Sequence, residues 1–170
     1  LGPCYELFRK WNYEMDGGAD PRVIKTFEKV NNILMKAYEN KEEPWPGKMK
    51  YRAIVWSCPA HYYANFSNWL ANCWGVNVLV EMESLNFTKP LETEDKEEAL
   101  RDLARLYERM VMRRHTNGGY QNVVDELWKQ CEDWNAKLII MYQNVACKNM
   151  ATVQGVLDDQ GRERGYDLIW

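Results

Sequence analysis

The chain has 170 residues, 46% of them hydrophobic and 28% charged. That is enough apolar matter to bury a core in one domain, or in one domain with a helical appendage, and it excludes a disordered segment. A net charge of -3 with a pI near 5.5 creates no overall attraction to nucleic acid or anionic lipid, so neither is an expected partner.

The chain opens with "LGPCYELFRKWNYEM", which suits a short helix after Pro3, and "DGGAD" interrupts it with two glycines. This opening lacks the basic-then-apolar pattern of a secretory signal, and the apolar runs further on fall far short of the ~20 residues that cross a bilayer. The expectation is a cytoplasmic protein with no membrane partner. A longer helix follows, with Asp20 as its cap, Pro21 in first position, and an apolar stripe of Val23, Phe27, Val30, Leu34 and Tyr38. "NKEEPWPGKMK" then reads as a linker, so residues 1–49 are expected to be a helical segment and linker.

Residues 50–170 read as a Rossmann-like α/β domain: three layers, a mainly parallel sheet, and added helices. "YRAIVWS" is rich in β-branched and aromatic residues and stops at Pro59, "ANFSNWLANCW" is helical and closes on Gly75, and "VNVLVEM" is strand-like again. Arg52 to Met82 therefore forms a strand, helix, strand unit whose strands are parallel. Helix returns at Thr93, a candidate cap, with Leu100, Leu103, Tyr107, Met110 and Val111 as its expected buried stripe. Gly118 and Gly119 separate it from a second helix carrying Val123, Val124, Leu127, Trp128 and Cys131 on its apolar face. The last third repeats the pattern: strand "KLIIMY", loop "QNVACKN", helix "MATVQGVLDDQGRER", Gly165 as its stop, and strand "YDLIW". A final Trp inside a strand reads as a domain cut from a longer protein.

Ligands of open α/β sheets bind beyond the carboxyl ends of the strands, and two segments there carry chemistry-bearing residues. "SCPAHYYANF" holds Cys58 and His61. Together they suit an imidazole-activated thiolate or half of a metal site, but no third group accompanies them, and a small buried thiol at a strand end is the simpler reading. "QNVACKNM" holds Cys147 in a polar loop, with Lys148 and a helix start beside it, both favouring a thiolate. Spacing alone leaves Cys147 open between ligand or nucleophile and exposed thiol. Arg109, Arg113, Arg114 and Lys148 suit the phosphates of a ligand such as coenzyme A, against a solvated basic helix end, and helix-dipole compensation accounts for His115. The five cysteines are odd in number and widely spaced, which argues against a disulfide framework, and Cys4, Cys73 and Cys131 are expected to be buried on apolar helical faces.

Three stretches, "KYRAIVWSCPAHYYANFSNWLANCWGVNVLVEME", "ERMVMRRHTNGGY" and "AKLIIMYQNVACKNMATVQGVLDDQGRERGYDLIW", together resemble the 2-hydroxyacyl-CoA dehydratase subunits. That family includes 2-hydroxyglutaryl-CoA and 2-hydroxyisocaproyl-CoA dehydratases and is related to ATP-dependent benzoyl-CoA reductases. The resemblance covers nearly the whole chain and corresponds to the carboxyl-terminal part of such a subunit. It implies an oxygen-sensitive lyase of anaerobic amino-acid fermentation that dehydrates (R)-2-hydroxyacyl-CoA to 2-enoyl-CoA through a ketyl radical.

The resemblance also implies a [4Fe-4S] cluster held by three cysteines, two from an amino-terminal domain and one from a loop after a strand, which by position is Cys147. The two amino-terminal ligands do not map onto Cys4, Cys58, Cys73 or Cys131, so the fragment alone is expected to be inactive. The implied partners are the amino-terminal domain of the same subunit, a second dehydratase subunit in a heterodimer, an ATP-dependent iron-sulfur activator protein, and the acyl-CoA substrate. The rival readings are a benzoyl-CoA-type reductase subunit, a non-catalytic Rossmann-like binding or assembly module, and a cysteine hydrolase built on Cys58 and His61.

Overall fold

The computed structural model describes residues 21–42, 49–56, 65–82, 94–109, 111–143 and 146–170. The chain divides into two compact units, Leu1–Lys50 with His61–Asn77, and Tyr51–Ala60 with Val78–Trp170.

The chain forms a four-stranded, all-parallel sheet, nearly all of it in the second unit, that confirms the expected Rossmann-like α/β class. Its strands are β1 (Tyr51–Val55), β2 (Val76–Glu81), β3 (Leu138–Ile140) and β4 (Asp167–Ile169), in the order β2-β1-β3-β4. The two central strands are the apolar ones: Ala53, Ile54 and Val55 of β1 and Ile139 and Ile140 of β3 are buried. Continuous apolar runs of this kind belong to strands covered on both faces. β4, at one edge, alternates between exposed and half-buried positions.

Helix α1 (Pro21–Glu39) lies in the first unit and begins on the expected Pro21; Asp20, its expected cap, lies outside the described residues. Val30 and Leu34 of its stripe are half-buried, whereas Phe27 and Tyr38 are exposed. α2 (Phe66–Trp69) runs into a π-helical turn, Leu70–Trp74. Gly75 closes that turn at φ 68, a left-handed conformation that glycine adopts without a Cβ clash.

The second unit's helices are α3 (Lys96–Arg109), α4 (Val111–Asn117), α5 (Gly119–Asp133), α6 (Lys148–Thr152) and α7 (Gln154–Arg164). The expected cap Thr93 lies outside the described residues; among those described, the Asp95 carboxylate caps α3, accepting from the Glu98 N–H at 2.9 Å. The expected buried stripe of α3 is not buried in this chain, since Leu100, Leu103 and Tyr107 are 54%, 39% and 62% exposed. The half-buried apolar positions of α3 are instead the neighbouring Ala99 and Leu106. Periodicity identifies the apolar side chains of a helix but not the face that meets a neighbour within one chain.

Helix α5 follows its reading closely: Val123, Val124, Leu127, Trp128 and Cys131 are all buried, in one cluster with Ile54, Trp56, Ile139, Met141, Val153 and Leu157. At its far end the Arg52 guanidinium of β1 donates to the Trp134 carbonyl at 2.8 and 3.1 Å, placing a cation where the helix dipole is negative. An aromatic stack joins α5 to the end of α7. The Trp128 ring lies 5.5 Å from that of Tyr166, Arg164 covers its other surroundings at 5.4 Å, Lys137 sits over Tyr166 at 4.5 Å, and Trp128 Nε1 donates to Gln160 at 2.7 Å.

The α7–β4 turn depends on Gly165, whose φ is 72. A Cβ there would meet nothing within 4 Å, so substitution costs only backbone strain. Gly165→Ala is expected to destabilise the unit by about 1–2 kcal/mol, read by thermal unfolding of the full-length subunit.

Candidate functional site

The strand order places a topological switch point between β1 and β3, because the chain goes outward from β1 to β2 and later adds β3 on the other side. At that point the strands end level with one another. Val55 lies opposite Ile140, the Trp56 N–H donates to the Ile140 carbonyl at 2.9 Å, and the Met141 N–H donates to the Ile169 carbonyl at 2.7 Å. Trp56 and Met141, the residues that follow β1 and β3, therefore stand at the carboxyl edge of the sheet, where open α/β folds bind their ligands.

Cys147 stands between β3 and α6. It is half-buried, it occupies the N-cap position of α6 with φ -86 and ψ 87, and its side chain makes no capping hydrogen bond. Its carbonyl accepts from the Ala151 N–H at 3.2 Å, which starts the helix, and Lys148 is the first helical residue, with its side chain exposed. Cys58 and His61, the pair expected after β1, lie outside the described residues.

A second group at this edge was not legible in the sequence. Trp56, the residue that follows β1, is fully buried, and its ring centroid lies 5.7 Å from that of His115. His115 Nε2 is 2.7 Å from Glu126 Oε2, and the Arg114 guanidinium pairs with the other oxygen of the same carboxylate. Helix-dipole compensation therefore does not describe His115: it is 7% exposed and tied to a carboxylate on the next helix. Nor is Arg114 part of a freely solvated basic end, since it is committed to Glu126. Arg114 and His115 reach Glu126 because the helix is broken between α4 and α5, where Gly119 takes φ 71. His115 and Glu126 are eleven positions apart, about 16 Å along a single helix, so only the break between α4 and α5 lets their side chains meet.

Burial by itself would push the Glu126 carboxyl up, but the hydrogen bonds from His115 and Arg114, and their charges, outweigh it and hold the group below the ordinary value of 4.5. A carboxylate depressed in this way adds stability that is complete above pH 4.5 and is lost as the pH falls through the lowered folded value. Glu126→Gln is accordingly expected to flatten the acid limb of the stability curve, measured by denaturant unfolding at a series of pH values below about 5.

The other described thiols are unlike Cys147. Cys131 is buried, as expected, and burial followed by the charge of Glu132 pushes its thiol up to about 12, so it stays protonated and inert. Cys73 was expected to be buried and is exposed, in a π-helical turn whose buried residues are Leu70 and Ala71. Among the described residues no three His, Cys, Asp or Glu side chains are grouped as metal ligands. One half-buried thiol at the carboxyl edge suits a single ligand position of an iron-sulfur cluster; the described residues do not assemble the full set. None of the described helices is long and apolar enough to cross a membrane.

Comparison with curated proteins finds no match. The family model described as 2-hydroxyglutaryl-CoA dehydratase, D-component, matches residues 5–168, nearly the whole chain and both of its units. The all-parallel sheet accords with the α/β fold expected of the chain. This chain belongs to the 2-hydroxyglutaryl-CoA dehydratase D-component family.

Proposed function

We propose that this chain is the carboxyl-terminal part of a 2-hydroxyacyl-CoA dehydratase subunit and that Cys147 is one of three cysteine ligands of a [4Fe-4S] cluster. The match of the dehydratase family over residues 5–168 carries this reading. Cys147 supports it by position, as the described thiol beyond the carboxyl ends of the parallel strands.

The reaction is removal of water from an (R)-2-hydroxyacyl-CoA: the 2-hydroxyl group and a proton from C3 leave, giving the 2-enoyl-CoA. An electron arrives from an ATP-dependent iron-sulfur activator, forms the ketyl radical of the thioester, and is returned at the end, so the net change is dehydration. When bound, the cluster supplies an open iron position and a redox level tuned by its surroundings. This chain's own part is to hold one cysteine ligand beyond the sheet edge, where Trp56, Ile140 and Met141 are buried at the strand ends. The other two ligands belong to the amino-terminal domain of the same subunit, the working complex is a heterodimer, and its compartment is the cytoplasm.

The test is turnover of (R)-2-hydroxyglutaryl-CoA by the full-length complex with its activator and ATP under anaerobic conditions. Formation of the 2-enoyl-CoA is the expected result. Reduction of benzoyl-CoA with no dehydration would assign the chain to the related reductases, and no turnover of either thioester would favour a non-catalytic assembly module.

A further inference from the structure

A buried tryptophan at a strand end is ordinarily held by apolar neighbours, whereas Trp56 faces an imidazole that is fixed by a carboxylate, itself fixed by a guanidinium. Such a network is an inefficient source of stability. Desolvating its charges costs about as much as their pairing returns, and apolar replacements of similar volume are often neutral or better. What the network does supply is a single orientation: with Nε2 engaged by Glu126, the His115 ring cannot turn without losing a short hydrogen bond. That ring lies against the Trp56 side chain, and the backbone N–H of Trp56 donates to the Ile140 carbonyl at the end of β3.

We propose that His115 is a positioning residue. Backed by Glu126 and Arg114, it fixes Trp56, and through Trp56 it holds the carboxyl ends of β1 and β3 in place. Its bearing on catalysis rests on the reading that this edge is where the acyl-CoA reacts. Misplacement of a reacting group by about 1 Å can cost on the order of a hundredfold in rate, so a device that fixes the strand ends has a role that stability alone does not give it.

The experiment uses the full-length complex carrying His115→Leu, His115→Gln or Glu126→Gln. Amide hydrogen exchange at Trp56 and Met141 should accelerate at least tenfold in His115→Leu while exchange in α7 stays unchanged. A merely structural role would accelerate both. His115→Gln, which retains a donor near Nε2, should return the rates to within about threefold of wild type. With (R)-2-hydroxyglutaryl-CoA, kcat per iron-loaded complex should fall at least tenfold in His115→Leu with little change in KM, and His115→Gln should restore it. Unchanged exchange at Trp56, exchange raised everywhere, or altered exchange with unchanged kcat overturns the proposal. Should His115→Leu not fold, Glu126→Gln decides by the same exchange criterion, since it keeps the side-chain shape and removes the charge. Iron content after Cys147→Ala reports on the cluster reading separately, so either idea can fail without the other. A complex that turns over no hydroxyacyl-CoA sinks the dehydratase reading and leaves exchange to decide the positioning.

Discussion

Replacing Cys147 by Ala in the full-length complex should abolish dehydration and leave the subunit short of its complement of about four irons. The folded unit should survive, because the Cys147 side chain is half-buried and makes no capping hydrogen bond. Loss of activity with a native circular dichroism spectrum is therefore the expected pair of results. Cys131→Ala serves as the contrast: it removes a buried thiol, pushed up to about 12, from the α5 face, and should lower stability without lowering iron per folded subunit.

Leu127→Ala should have the largest effect on stability. Leu127 is fully buried on α5, in the cluster that includes Ile54, Ile139 and Leu157. Truncation deletes three carbons whose neighbours belong to strands and helices that cannot all move inward, so a cavity remains and the cost is about 2–5 kcal/mol. Loss of hydrogen-exchange protection across β1 and β3 by that amount would be the signature, since those strands share the cluster.

The elements that could be read in advance are those where one physical signal dominates. β1 and β3 are short apolar runs between turn residues, and α5 has a full apolar stripe of Val123, Leu127 and Cys131. Gly75 and Gly165 were foreseen as stops and take the left-handed conformation that makes glycine useful there. On α3 the same logic failed, because Leu100 and Tyr107 are apolar at helical spacing yet exposed in this chain. A stripe records what a helix is able to bury, and the surface it meets is settled elsewhere.

The site divides in the same way. Cys147 was conspicuous because a strand and a helix start bracket it locally, within eight residues of sequence that can be read together. The group formed by Trp56, His115, Glu126 and Arg114 was not, because it joins the end of a strand to two later helices, and only the parallel sheet and the α4–α5 turn bring its members together. Cys58 and His61 lie outside the described residues.

The central claim is that Cys147 binds iron, and Mössbauer spectroscopy of the iron-57-enriched, full-length subunit tests it most directly. In Cys147→Ser, a hard oxygen replaces a soft sulfur at one ligand position, so one iron site should change its isomer shift and quadrupole splitting while the others keep theirs. A spectrum superimposable on that of the wild type, at full iron content, would contradict the account.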